Sequence, residues 1–132
     1  MRRAQSGFTI FEIVIVFILL AGIMAVVMPR VFDQFTRAQG QQAKMSLMHV
    51  AGQIEMYRAE VGKYPDSLRD LVRKPSAVDN WNGPYVKETE LKDAFGNEYK
   101  YSAPGQGRKF DLISLGADGK EGGEGENRDI SN

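Results

Sequence analysis

The chain has no cysteine, one histidine and one tryptophan among its 132 residues. Without thiols there is no disulfide, no thiolate metal site and no cysteine nucleophile. His49 alone, set within a long helical stretch, leaves little for acid–base chemistry near neutral pH. No sign of charge dominates: 17 Lys and Arg stand against 17 Asp and Glu. No global field therefore points to nucleic acid. Neither a nucleophile–base pair nor a metal triad is apparent, and an enzyme is not expected.

What the chain does have is one long apolar run. Arg2 and Arg3 precede Gly7, and from Phe8 to Met28 the only charge is Glu12. Twenty-one residues at about 1.5 Å each make a helix of roughly 31 Å, close to a bilayer's hydrocarbon thickness. The two arginines favour a cytoplasmic N-terminus with the rest of the chain outside. A cleaved secretory signal is disfavoured, because no clean small-x-small site precedes a polar start and helical spacing continues past Met28. A carboxylate stranded at the head of such a helix is costly and usually functional.

Helical spacing persists to about Val61, with two apolar stripes. Val31, Phe35, Ala38, Met45 and Met48 share one face; Leu47, Val50, Ile54, Tyr57 and Val61 share another, roughly 130° away. The second stripe is expected to pack on the chain's own C-terminal domain and the first to face other subunits. Pro29 and Gly40 are expected to let the rod bend or partly melt on leaving lipid. Gly62-Lys63-Tyr64-Pro65 ends the helix. Ser67 with Asp70 resembles a capping box opening a short helix that Pro75 closes. Trp81 is expected to anchor the loop 77–83 to the core. Strands are expected at Tyr85–Lys87, Glu98–Ser102 and Lys109–Leu115, with a turn at Phe95-Gly96-Asn97. Tyr99 and Tyr101 are expected to pack the core rather than bind a ligand. The order is α+β, a long N-terminal helix packed on a small antiparallel sheet.

The segment Ser6-Gly7-Phe8-Thr9-Ile10-Phe11-Glu12 resembles the processing site of type IV pilins and their secretion relatives, the pseudopilins. The resemblance implies a prepilin peptidase that cuts between Gly7 and Phe8 and methylates the new amine of Phe8. Pro29 sits where these helices often carry a proline, and Phe11 replaces the commoner aliphatic residue. It further implies that Glu12 pairs with the N-terminal amine of a neighbouring subunit and sets axial register during assembly. Physically, a buried carboxylate needs such a counter-charge. While the subunit waits in the bilayer, Glu12 is close enough to the helix end to reach the headgroups.

Further along, Tyr57 through Gly62-Lys63-Tyr64-Pro65 is similar to the end of the long helix in the major pseudopilins of type II secretion. Lys92–Tyr101 resembles their Asp-Pro-Trp-Gly-x-x-Tyr turn and strand, with Ala94 and Phe95 in place of Pro and Trp. The most discriminating piece is Ser114-Leu115-Gly116-Ala117-Asp118-Gly119 with Asp129-Ile130. The family's usual aromatic after the final Asn is missing here. This resemblance implies a type IV pilin-like fold: leader 1–7, membrane and filament-core helix 8–29, amphipathic continuation 30–61, and an α+β periplasmic domain 62–132. It implies a single-pass protein of the bacterial inner membrane that forms a helical homo-oligomeric filament. Minor pseudopilins, a prepilin peptidase, an inner-membrane platform protein and an assembly ATPase would be its partners, and the filament would drive folded proteins through an outer-membrane channel. The alternatives are the major pilin of a surface type IV pilus and, more distantly, a membrane-tethered calcium-dependent binding module.

Gly116–Asn132 holds five Gly, five acidic and two basic residues, too few apolar groups to order itself by burial. A hard cation bound by carboxylates and carbonyls is able to do so. The resemblance implies Ca2+ in a loop spanning 115–130, with Asp118 and Asp129 as side-chain ligands and the Leu115 and Lys120 carbonyls as backbone ligands. Asn127, Glu124 or Glu126 would complete the shell. An EF-hand is rejected: Lys120 and Gly122 stand where its acidic ligands belong, and a strand rather than a helix precedes the loop.

Overall fold

The computed structural model describes residues 7–132. Most of the expected leader, residues 1–6, lies outside the described residues. A single helix, α1, runs Ile10–Val61 over 52 residues, with Pro29 inside it. Both Pro29 and Gly40 are therefore accommodated within continuous helix in the isolated chain. Gly62 ends it with φ +90°, a conformation that glycine adopts without a Cβ penalty, and its N–H bonds the Arg58 carbonyl at 2.8 Å. The chain divides into two compact units, the first ending at Phe35 and the second running Thr36–Asn132.

In the second unit one stripe of α1 is buried: Leu47, Val50, Ile54 and Tyr57 are at most 1 % exposed. Ala43 and Ala51 widen that stripe with small side chains. Against it pack Leu71, Val86, Tyr99, Phe110 and Leu112. Met45 and Met48, from the other expected stripe, are 73 % and 52 % exposed. This is the division of labour that the two spacings imply for the chain taken alone.

The sheet is small and antiparallel, with β1 (Lys100–Ser102), β2 (Asp111–Ser114) and β3 (Ile130–Ser131) in that spatial order. Lys100 pairs with Ile113 and Tyr101 with Leu112; across the other edge Ile113 pairs with Ser131 and Ser114 with Ile130. Because side chains alternate along a strand, Tyr101, Leu112, Ser114 and Ile130 share the face toward α1. Lys100, Ile113 and Ser131 share the outer face. Asn132 extends the sheet beyond β3: its Oδ1 accepts the Leu112 N–H at 2.9 Å and its Nδ2 donates to the Phe110 carbonyl at 3.2 Å. A side-chain amide here completes the hydrogen bonding of a strand edge.

Several expectations are corrected. No strand forms at Tyr85–Lys87; the N–H groups of Tyr85 and Val86 instead bond the Leu71 carbonyl, and a 3-10 turn follows at Glu88–Leu91. The strand expected at Glu98–Ser102 shortens to Lys100–Ser102, Glu98 making only an isolated bridge with Lys92. That expected at Lys109–Leu115 shortens to Asp111–Ser114. The short helix after Ser67 is one 3-10 turn, Leu68–Leu71, in which the Asp70 carboxylate accepts the N–H groups of Asp66 and Ser67. Trp81 anchors its loop as anticipated, its Nε1–H donating to the Asp70 carbonyl at 2.8 Å. Its ring meets that of Tyr85 edge-on at 5.8 Å.

Replacing Leu47 by Ala should cost about 2–5 kcal/mol, since its site is closed on all sides. Met45→Ala should change stability by no more than about 0.5 kcal/mol. Denaturant unfolding of the full chain in detergent, followed by the circular dichroism of the aromatic residues, measures both.

Candidate functional site

At its N-terminal end α1 is capped reciprocally. The Thr9 N–H donates to Glu12 Oε2 at 2.9 Å, and the Glu12 N–H donates to Thr9 Oγ1 at 3.3 Å. This is the Thr-x-x-Glu arrangement that satisfies two orphan donors at a helix start. The sequence carried that signal directly before the apolar run, and reading Glu12 only as an intermolecular or headgroup-seeking group overlooked it. In the isolated chain Glu12 thus has a partner within its own first turn. Gly7 and Phe8 precede the helix and are exposed, Phe8 at 83 %. The peptide bond between them is extrahelical. Beyond it, α1 holds a stretch long and apolar enough to cross a membrane, none of it buried within the chain.

The strongest polar knot in the second unit centres on Asp93, which is 6 % exposed. Its Oδ1 accepts the N–H groups of Phe95 (3.0 Å) and Asn97 (2.8 Å), and its Oδ2 accepts the Ser114 hydroxyl at 2.6 Å. A buried carboxylate persists only when satisfied in this way. The turn 93–97 is thereby stitched to β2. Asn97 carries the connection onward, its Nδ2 donating to the Gly116 carbonyl at 2.8 Å, where the acidic loop begins. Sequence reading placed the turn but not this role for Asp93. Its signal was an acidic residue two and four positions before two turn N–H groups. Nearby, the buried Tyr99 hydroxyl finds no hydrogen-bond partner among the described residues. Burial, with a smaller push from Asp93, raises Tyr99 from 10.0 to about 12.

The loop itself is ordered. The Ala117 N–H bonds the Glu126 carbonyl at 2.9 Å, and a 3-10 turn spans Gly125–Asn127. Gly116, at φ +73°, has no room for a Cβ, which would fall 2.6 Å from the Asn127 carbonyl carbon. Thr36 of α1 donates its hydroxyl to Glu126 Oε1 at 3.3 Å. Among the expected ligands, Asp118 is exposed and its Oδ1 accepts the Lys120 N–H at 3.1 Å. Asp129 Oδ2 accepts the Gly122 N–H at 2.9 Å, whereas its Oδ1 is buried with no partner among the described residues. Leu115 and Asp129 line one cavity of about 310 Å³, together with Lys100, Asp111 and Glu121. Asp118, Lys120 and Asn127 are not among the residues lining it. No three acidic or histidine side chains among the described residues converge as a metal cluster. A site built from two carboxylates and several backbone carbonyls does not require one. The orphaned Asp129 oxygen is the feature that fits a cation, because an unpaired buried carboxylate oxygen is costly.

His49 lies on α1 with its Nε2 3.3 Å from Glu90 Oε1, both side chains partly exposed, in an open groove. The groove is lined by Met45, Val50 and Ala94 together with the hydroxyl residues Ser46 and Thr89, and none of these hydroxyls is hydrogen-bonded to His49 among the described residues.

A long helix with an apolar N-terminal half, its second half buried on a three-stranded antiparallel sheet, defines a pilin-like subunit. Residues 30–132 match the family model for type II secretion system (T2SS), protein G. The type II secretion system core protein G of Xanthomonas campestris pv. campestris is 40% identical over 129 residues, covering 98% of this chain and 90% of its own. That of Pseudomonas aeruginosa is 41% identical over 138 residues, covering 99% and 96%. Among solved structures, the major pseudopilin from the type 2 secretion system of enterohaemorrhagic Escherichia coli matches with a TM-score of 0.60 at 29% identity, over 73% of this chain and 87% of that one. The chain belongs to the type II secretion system protein G family, the major pseudopilins. Of the filament types that the sequence left open, the comparisons fall on the secretion side.

Asp93→Ala should destabilise the full chain by about 2–4 kcal/mol, because three donors lose one buried acceptor; Ser114→Ala should cost about 1 kcal/mol. Tyr99→Phe should leave stability at neutral pH unchanged or raised, since it removes an unpaired hydroxyl. Its pH profile is also distinctive. Ionisation of Tyr99 is resisted in the fold, so the stability it contributes is intact below pH 10.0 and drains away as pH climbs towards about 12. The Phe variant should lose less stability across that alkaline window, as measured by urea unfolding at stepped pH.

Proposed function

We propose that this chain is the filament-forming subunit of a type II secretion pseudopilus, held in the inner membrane with residues 62–132 on the periplasmic side until it polymerises. The observation that carries the reading is the similarity to core G proteins over nearly its full length. The role is mechanical rather than enzymatic. Apolar segments of many copies bundle into the filament core, and growth of the filament pushes folded proteins outward. Minor pseudopilins, a prepilin peptidase, a platform membrane protein and an assembly ATPase are the partners this role requires.

Processing between Gly7 and Phe8 leaves a free amine that is then methylated. Glu12 is the acceptor for the amine of an adjoining subunit. The contact with Thr9 gives this carboxylate a place to wait: the capping bond satisfies it within one chain and is exchanged for a charge pair on assembly. Support comes from the extrahelical position of the cut, the exposure of the apolar head and the geometry of the cap. Glu12→Gln should keep the subunit inserted in the membrane but reduce filament formation by at least tenfold, scored by cross-linking or sheared-filament yield. Polymerisation at parental levels, or a mature chain that does not begin at N-methylated Phe8 by mass spectrometry, would defeat the reading.

Ca2+ is proposed as the loop's ligand, held by the carboxylates of Asp118 and Asp129 and the carbonyls of Leu115 and Lys120, with Asn127 completing the set. Bound there, it would supply a divalent charge tying the loop to the end of β2. The residues prepare for this without it. Asn97 holds the Gly116 carbonyl, Gly122 orients Asp129 through one carboxylate oxygen, and the other oxygen is left unpaired. Asp118→Ala should make the loop cleavable by protease in the presence of Ca2+ and lower filament yield. Retention of Ca2+-dependent protection in that variant counts against the ligand assignment.

A further inference from the structure

The acidic loop is met by a cation from the neighbouring strand. Lys100 begins β1, and its register partner on β2 is Ile113, which in turn pairs with Ser131 on β3. Alternation along the strands puts Leu115, two residues beyond Ile113, and Asp129, two before Ser131, on the same outer face as Lys100. The side chain of Lys100 reaches across that face and donates to Glu121 Oε1, at the crown of the loop. Lys100, Glu121, Leu115 and Asp129 line the same cavity. Asp129, one of whose carboxylate oxygens is buried with no hydrogen-bond partner among the described residues, is part of that lining. The Glu121 hydrogen bond and charge hold Lys100 above the usual lysine range, and the charge of Asp129 acts in the same direction.

We propose that Lys100 is a tethered stand-in for the metal: it fastens the acidic loop to the sheet when Ca2+ is absent and opposes Ca2+ when it arrives. This rests on the calcium reading above. The physical basis is charge balance. The loop concentrates five carboxylates and two basic side chains, so without a cation it repels itself. One ammonium on the adjoining strand relieves part of that repulsion. A divalent ion on Asp129 makes the ammonium redundant and meets it as a like charge. The same side chain therefore stabilises the metal-free loop and weakens metal binding, two effects linked through one thermodynamic cycle. Calcium affinity is then set partly by a residue that is not a ligand and lies some fifteen positions or more away in sequence.

The test compares the full chain in detergent with Lys100→Met, which keeps the aliphatic stem, and Lys100→Arg, which keeps the charge. Titration calorimetry with Ca2+ at low salt should show Lys100→Met binding about two- to fivefold more tightly than the parent, the scale of an exposed charge interaction. The gain should shrink at high ionic strength. Hydrogen exchange without Ca2+ should show amides of residues 117–127 opening faster in Lys100→Met, and at the parental rate once Ca2+ is saturating. Lys100→Arg should match the parent in both measurements. Failure of the parent to bind Ca2+ overturns the calcium reading and the competition with it. Parental binding with unchanged or weakened affinity in Lys100→Met overturns the competition alone. Arg behaving like Met overturns it as well, by assigning the effect to packing rather than charge.

Discussion

Everything after Val61 depends on one buried stripe of one helix. The three strands contribute three, four and two residues, too few to enclose a core by themselves. Leu47, Val50, Ile54 and Tyr57 provide the missing wall, and Leu112, Phe110 and Tyr99 close against it. The second half of α1 is accordingly not an appendage to a domain but half of its interior. That half of the helix begins the compact unit at Thr36, ahead of the residues that form the sheet. A filament subunit built this way makes its head and its rod from the same secondary-structure element.

On that wall, polar contacts do the positioning. Asp93 joins a turn to β2, Asn97 joins the turn to the start of the loop, and Thr36 joins the helix to Glu126 in the loop. The acidic segment is thus held by two uncharged donors, Asn97 and Thr36, with Asp93 fixing the turn that carries Asn97, before any counter-ion is considered. The outer face of the sheet then presents Lys100 and Asp129 toward the same space. Core packing, hydrogen bonding and electrostatics act in sequence here, each defining where the next can operate.

The long helix, its buried and exposed stripes, the Gly62 stop and the anchoring of Trp81 were legible because each has a strong local signal: 3.6-residue spacing, a helix-ending glycine or a large amphipathic ring. Two of the three expected strands formed, shorter than expected; the third did not form, and β3 was not anticipated. Tyr85-Val86-Lys87 has the side chains of a strand, yet its N–H groups are claimed by the Leu71 carbonyl, a partner that no local pattern reveals. The two-residue β3 is too short to carry an alternating pattern at all. Asp93 was hidden for another reason: whether a carboxylate is buried and triply bonded depends on which distant strand passes over it. Calcium ligands read from resemblance fall in one loop, but Leu115 shares one cavity with Asp129 and Glu126 shares another. Spacing along the chain does not say which way successive residues of a glycine-rich turn face.

That turn owes its path to the backbone. Gly116 and Gly123 both lie against Asn127 at separations that admit no Cβ, and both take φ values outside the range of ordinary residues. The trace is fixed by where side chains are missing, while Asp118, Glu121 and Glu124 ride on exposed positions. The ion preference proposed for this loop is separable from its architecture. Donor atoms are exchangeable cargo on a rigid frame, so selectivity is open to retuning by substitution between the glycines without asking the domain to refold.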